Sequence, residues 1–480
     1  MEMQCSSFKT LKKVFGFSTG TFLSRITGLG REMVFAYLFG AGMEMDAFRV
    51  AFNIPNLFRD FFAEGGLNAA FVPVFTEYME KDKKEGWKYF NSFFLFLFLF
   101  LSFFVALCII FSPVLVNLVA GGFHTIPGKF ELTVSLTRLC FPFLLLISLA
   151  AMFMGALTCF GRFFITGFAP VFLNLSIIGI SLLFSQRLGI KAVALGVLAG
   201  GFLQAAFQYP FLFFHGYRPS LSFHPGVIRT LKLMGPVFIG FAATRINVAV
   251  NTFIASFLIP GAVSYLAYAY RLMQLPYGMF GVAVSTVALP ELSRKVSRGE
   301  DEHEAFLRAV RISLLLTLPV ALLLYKVSLP LVRLLYERGN FMAVDSLETS
   351  RTLVLYLIAI PFLSLSKVLQ SMYYAKKDVK TPMRISWITM GLNITIALLL
   401  IPYLDYRALA LSTSLSAMFQ FLLLSIPYRK KLVEVSDYFL KLLLASSIPL
   451  FIPLPSIPLL YLFIYPLIFL PLAFILKLVR

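Results

Sequence analysis

Residues 90–119 read FNSFFLFLFLFLSFFVALCIIFSPVLVNLV, a stretch with no charged side chain. A bilayer core is crossed by roughly 20 helical residues, so this run is long enough to span it, tilted or broken. Comparable runs recur from near 14–31 to near 457–477, about fourteen in all. The second (34–58) and the eighth (262–290) are, like the third, long enough to be tilted or broken. Composition agrees: of 480 residues 59% are hydrophobic and 14% charged, with 54 Phe. A soluble domain of that length could not cover so much apolar surface. The expected fold class is an all-α polytopic membrane protein.

The net charge of +19 is a matter of topology. Loops are counted from a cytoplasmic N-terminus carrying Lys9, Lys12 and Lys13. The inner loops then hold roughly 26 basic residues against roughly 7 outside, the bias of an inner-membrane protein. An even number of spans puts both termini in the cytoplasm. No nucleic-acid partner is implied. The first apolar run has no small-residue cleavage site and is interrupted by Arg25, so it reads as a retained helix.

Enzymatic chemistry finds no support. His124, His215, His224 and His303 are scattered without metal-ligand spacing, and Cys5, Cys108, Cys140 and Cys159 form no CxxC. GFHTIPGKF at 122–130 only mimics a phosphate loop, with Phe130 where Ser or Thr is required. No cofactor is expected, and nothing resembles a nucleotide-binding domain.

The two halves of the chain repeat at an offset of about 216–221 residues. SRI at 24–26 answers TRI at 244–246, and IP at 54–55 answers LP at 275–276. FPFL at 141–144 answers IPFL at 360–363, LNLSI at 173–177 answers LNITI at 392–396, and KAVALG at 191–196 answers RALALS at 407–412. An even number of spans separates matching points, so the repeat is parallel. The expected organisation is an N-lobe of six spans (1–216), a C-lobe of six (217–430) and a C-terminal helix pair (431–480). Such an architecture suits alternating access around a central cavity.

Within the second run, NLFRDFFAEGG at 56–66 places charges among aromatic residues. On a helical projection Asp46, Arg49, Asn53, Asn56, Arg59, Asp60 and Glu64 share one stripe, while Phe48, Ile54, Phe58 and Phe62 lie mostly outside it. The first span adds Ser24, Arg25 and Arg31, with Gly28 and Gly30 permitting a bend. Arg245, Arg271 and Lys367 lie in second-half spans. Charge at membrane depth is costly, so its default reading is a hydrated pathway or site. Arginines outnumber Glu32, Asp46, Asp60 and Glu64, which suits an anionic ligand such as a pyrophosphate. Arg49, Arg245 and Lys367 read equally as interhelical ion pairs. Asp60 and Glu64 read equally as gate partners of an arginine or as ligands, and Asp46 reads similarly.

SRITGLGRE (24–32), FGAGMEMDAF (39–48), IPNLFRDFFAEGGLNAAFVPVF (54–75) and YAYRLMQLPYGMFGVAVSTVALPELS (268–293) resemble the MurJ (MviN) lipid II flippases. That family belongs to the multidrug/oligosaccharidyl-lipid/polysaccharide exporter superfamily, and the resemblance runs over the whole chain. It implies transport of undecaprenyl-pyrophosphate disaccharide pentapeptide from the inner to the outer leaflet. The family's cavity arginines fall on Arg25, Arg31, Arg59 and Arg271. Ser24, Asp46, Asn56, Glu64 and Ser264 match positions used in the cavity or its gate. The last two spans would form a groove for the polyprenyl tail, and cell-wall synthesis machinery is an implied partner.

Two departures stand out. Asp60 occupies a position where some relatives have a second arginine. Where some relatives carry cation-binding carboxylates, the matching positions are Asn251 and Ala397, with Asn393 and Thr413 nearby. Neutral oxygens alone make a weak sodium site, so membrane potential, protons and sodium all remain open as energy sources. The competing readings are an exporter of another polyprenyl-linked glycan and a drug or cation antiporter of the same superfamily.

Overall fold

The computed structural model describes residues 2–64, 66–453, 455 and 458–478. Side chains are described for 19–59, 61–63, 67–235, 242, 245–453, 455, 458 and 460–478. All regular elements among the described residues are helical. Helices satisfy every interior N–H and C=O within the segment, which lipid requires.

The first half contains α1 (Glu2–Phe39), α2 (Met43–Arg59), α3 (Gly66–Lys81), α4 (Lys83–Ile110), α5 (Ser112–Ala120), α6 (Lys129–Cys140) and α7 (Pro142–Cys159). It continues through α8 (Phe163–Phe168), α9 (Pro170–Leu188) and α10 (Lys191–Phe213) to α11 (Gly226–Ser256). The second half holds α12 (Ala262–Pro276), α13 (Val282–Ser297), α14 (His303–Tyr336), α15 (Ala343–Leu357), α16 (Ala359–Ala375), α17 (Lys380–Leu404) and α18 (Arg407–Ser425). It ends with α19 (Arg429–Val433), α20 (Ser436–Ser447) and α21 (Tyr461–Ile475). Among the described residues, nine helical stretches are long and apolar enough to cross a membrane, several of them made of two consecutive helices.

The apolar run at 34–58 is not one helix. Gly40 adopts φ 62°, a left-handed conformation that glycine alone takes without strain, and the chain turns there between α1 and α2. By contrast, α1 stays helical through Gly28 and Gly30. Pro55 lies within α2, and a π-helical turn, Asp60–Glu64, joins α2 to α3. The second half repeats this device. Pro276 ends α12, and the π-helical turn Tyr277–Gly281 leads into α13. The two turns begin 217 residues apart, within the sequence offset. Single π-turns of this kind concentrate at functional sites.

The chain forms two compact units, Met1–Gly261 with Arg338–Asn340, and Ala262–Glu337 with Phe341–Arg480. These units differ from the sequence repeats, because α11 packs with the first unit although it follows the repeat boundary at 216/217. The first unit's core is aromatic. Phe71 and Phe75 of α3 meet Tyr89, Phe90 and Phe93 of α4, with Phe71 and Phe75 stacked at 5.3 Å. Helices α9 and α10 approach closely at Gly196 and Gly200, where a β-carbon would come within 2.8 Å of the Cα atoms of Ile177 and Leu173. In lipid, van der Waals packing of this sort drives helix association.

The second unit is built on α14, whose Phe306, Val310 and Leu314 share a core with Leu292 of α13 and Val368, Leu369 and Met372 of α16. The C-terminal helices belong to the same core through Leu442, Ala445, Tyr465 and Ala473. Tyr465 Oη donates to Ser446 O (2.8 Å), Tyr461 Oη donates to Pro449 O, and Lys326 Nζ of α14 donates to Leu450 O (2.8 Å).

Candidate functional site

Three charged side chains of α1 and α2 meet in the first unit. Arg31 Nη2 donates to Glu32 Oε1 (2.8 Å), and Arg49 Nη2 donates to Glu32 Oε2 (2.9 Å). Glu32 is 4% exposed and each arginine 13%. One carboxylate thus serves two guanidinium groups from successive helices. The α1–α2 turn at Gly40 is what allows a residue of α2 to reach back to α1.

Asn174 of α9 completes the cluster. Its Oδ1 accepts from Arg31 Nη1 (3.2 Å), while its Nδ2 donates to Ser24 O (3.0 Å) and Thr27 Oγ1 (3.1 Å). Arg31 also lies over the Phe35 ring at 5.6 Å. The guanidinium is therefore oriented from three sides, and the turn of α1 that carries Ser24 and Arg25 is tied to α9. Sequence reasoning counted Glu32 only among the acids and passed over Asn174. The signal for Asn174 was present, since LNLSI and LNITI both carry the asparagine. Its counterpart Asn393, 1% exposed, donates to Ser412 Oγ (3.4 Å).

Asp46 bonds elsewhere. Its Oδ2 accepts from Lys129 Nζ at the start of α6 (2.8 Å) and from the backbone N–H of Gly261 (2.8 Å). Lys129 lies 4.0 Å from the centroid of the Phe123 ring. Sequence reasoning met Lys129 only inside a false phosphate loop.

The remaining candidates are placed as follows. Ser24 and Arg25 are half-buried on α1, and Arg25 makes no ion pair among the described residues. Arg59 is half-buried at the end of α2, immediately before the π-turn. Asn56 Nδ2 donates to Phe52 O (2.9 Å), leaving its buried Oδ1 without a hydrogen bond. Asn53 donates to Thr252 Oγ1 (3.4 Å). The side chains of Asp60 and Glu64 lie outside the described residues. Arg245 and Asn251 are half-buried on α11. In the second unit α12 carries a fully buried Ser264 and a half-buried Arg271. Asn251 Oδ1 and Asn393 Oδ1 are buried without hydrogen bonds, and Thr413 Oγ1 donates to Leu409 O (2.8 Å). These are neutral oxygen donors of the kind that accept a hard cation weakly. Among the described residues no group of three or more His, Cys, Asp or Glu is disposed to hold a metal.

A glutamate buried between two arginines thus sits in a helical chain with several apolar stretches long enough to cross a membrane. The family model described as "Lipid II flippase MurJ" matches residues 35–479. The chain belongs to the MurJ family. Similar curated MurJ relatives include the "Probable lipid II flippase MurJ" of Buchnera aphidicola subsp. Acyrthosiphon pisum, 37% identical over 88% of this chain and 85% of that protein. Another, from Rhizobium meliloti, is 39% identical over 83% of this chain and 77% of its own length.

A solved MurJ structure, "Lipid II flippase MurJ, inward closed conformation", aligns with a TM-score of 0.83 at 30% identity, covering 96% of this chain and 97% of that one. The MurJ-like fold confirms a polytopic membrane protein. An inward-facing multidrug transporter of the wider superfamily aligns with a TM-score of 0.68 at 14% identity, a likeness of fold alone.

Proposed function

We propose that the chain flips lipid II from the inner to the outer leaflet of the cytoplasmic membrane by alternating access, without covalent chemistry. Family membership supports the substrate. The observation that carries the mechanism is the pairing of Arg31 and Arg49 on the single carboxylate of Glu32. A pyrophosphate entering this region would compete with Glu32 for guanidinium donors, which bind phosphate oxygens bidentately. Arg25, Arg59 and Arg271, with Ser24, Asn56 and Ser264, would complete its contacts. Asp46, Asp60, Glu64, Arg49 and Arg245 would line the cavity or its gate.

Neutralising mutually repelling arginines favours the state in which they lie closer together, so the ligand itself biases the conformational equilibrium. We assign the chain fourteen spans, as two parallel six-helix lobes (1–216 and 217–430) and a C-terminal pair (431–480) that guides the polyprenyl tail. Both termini lie in the cytoplasm. Membrane potential, protons or sodium energise the cycle, with Asn251, Asn393 and Thr413 as the oxygen donors a sodium ion would use. Enzymes of cell-wall synthesis would supply the substrate.

The test is depletion of a host's own flippase, complementation with this chain, and measurement of lipid II exposed on the outer leaflet. Exposure restored by the wild type and lost in Arg59→Ala, at equal membrane insertion, is expected. A well-inserted wild type that exposes none would overturn the substrate and favour another polyprenyl-linked glycan.

A further inference from the structure

Away from the arginine cluster, the first unit has a groove of about 720 Å³ lined from α5, α6, the end of α9 and the start of α10. Its walls include Phe130, Val134 and Leu195, and it also presents Glu131, Arg138 and Lys191. This is the size range of small-molecule sites. Arg138 Nε donates to Ser112 Oγ of α5 (2.9 Å), which anchors the guanidinium base. Among the described residues none of the three charges has an ion-pair partner.

Arg138 lies well inside an apolar helical stretch, Lys129–Cys159, where an unmatched cation is expensive. Glu131 and Arg138 are two turns apart on one face of α6, about 10 Å along its axis. Glu131 is the nearer to the helix start, and Lys191 opens α10. The groove thus offers a carboxylate and an ammonium near the helix ends and a guanidinium two turns further in, with apolar wall beside and between them.

We propose that this groove is a binding site for an aminophospholipid. The lipid's phosphodiester is held by Arg138 and Lys191, its primary ammonium by Glu131, and one acyl chain lies along Phe130, Val134 and Leu195. The set of charges matches that of the lipid headgroup, which carries one ammonium for the carboxylate and one phosphodiester for the two cations, and the apolar wall beside them takes a chain. Phosphatidylglycerol can satisfy the two cations but brings a neutral headgroup to Glu131. Diacylglycerol satisfies none of the charges.

The test uses the purified full-length protein, delipidated and titrated with phosphatidylethanolamine, phosphatidylglycerol or diacylglycerol, with bound lipid read by native mass spectrometry. Phosphatidylethanolamine is expected to bind best and diacylglycerol least. Losing both charge-assisted contacts in Arg138→Gln/Lys191→Gln should lower phosphatidylethanolamine affinity about tenfold or more. Glu131→Gln, at an exposed position, should erase the preference over phosphatidylglycerol while leaving phosphatidylglycerol bound. Unchanged affinity in the double variant, equal binding of diacylglycerol, or phosphatidylglycerol binding the wild type as well as phosphatidylethanolamine would each overturn the assignment. Lipid II flipping is a separate readout, so failure here leaves the transport reading standing.

Discussion

Lys129 Nζ lies 2.8 Å from Asp46 Oδ2, with the two side chains 2% and 1% exposed. The same oxygen accepts the backbone N–H of Gly261, so one carboxylate ties the start of α2 to the start of α6 and to the turn after α11. A buried pair of this kind offsets its own desolvation only while both partners are present.

Lys129→Met should therefore destabilise by about 3–5 kcal/mol, because the buried Asp46 carboxylate loses its ammonium partner. Adding Asp46→Asn should recover part of that loss, the Gly261 contact persisting through the amide oxygen. Thermal melting of both variants in detergent, as a double-mutant cycle, measures the coupling. Strictly additive losses would show that the pair is not coupled.

Asn174→Ala removes the acceptor for Arg31 and two donors to α1. Lipid II flipping in reconstituted vesicles should fall about tenfold, with melting lowered by the roughly 1–3 kcal/mol of lost buried hydrogen bonds. Asn174→Asp, which keeps an oxygen for Arg31 but loses the donors, should retain more activity than the alanine variant. Wild-type flipping in Asn174→Ala would remove its positioning role.

Gly200→Ala brings a β-carbon to 2.8 Å from the Leu173 Cα and must separate α9 from α10. A loss of about 1–3 kcal/mol is expected, the range for overpacking. Gly179→Ala, where a β-carbon meets nothing within 4 Å, should be near neutral or slightly stabilising in the same melting assay.

Glu302, before α14, meets Lys376 (3.2 Å) and Lys431 (3.4 Å). Burial raises its pKa, but its own backbone amide and the two lysines outweigh that and hold the carboxyl below its usual value of 4.5. Its contribution to stability is complete above about pH 5 and fades as the pH falls below the ordinary carboxylate range. Glu302→Gln should lower the melting temperature at pH 7 by the equivalent of at most about 1 kcal/mol, since both lysines remain part-exposed. The gap from wild type should close as the pH falls toward 3. A gap independent of pH would mean that the carboxylate charge contributes nothing.

Much of the fold was legible because its signals are local or periodic. The uncharged run at 90–119 announces lipid as solvent, and the matched segments from SRI to RALALS announce the repeat. The motifs around Arg25, Arg31, Arg59 and Arg271 announced the family. The helical projection also put Arg49 on the polar stripe of α2. It did not show that Arg49 reaches Glu32, because a projection of one helix carries no information about the turn at Gly40 that brings α2 back to α1. Nor did the proline and glycines around NLFRDFFAEGG disclose a π-turn that Tyr277–Gly281 would repeat.

By itself, then, the sequence determined the solvent, the class of fold, the internal repeat and the family. Each follows from composition, spacing or short motifs that survive without coordinates. Only the tertiary structure decided which charge meets which. Asp46 and Lys129 are 83 positions apart, and Arg31 and Asn174 are 143 apart. No helical period links residues at such separations. Their pairing is imposed by the helices that carry them, and burial makes each partner necessary to the other.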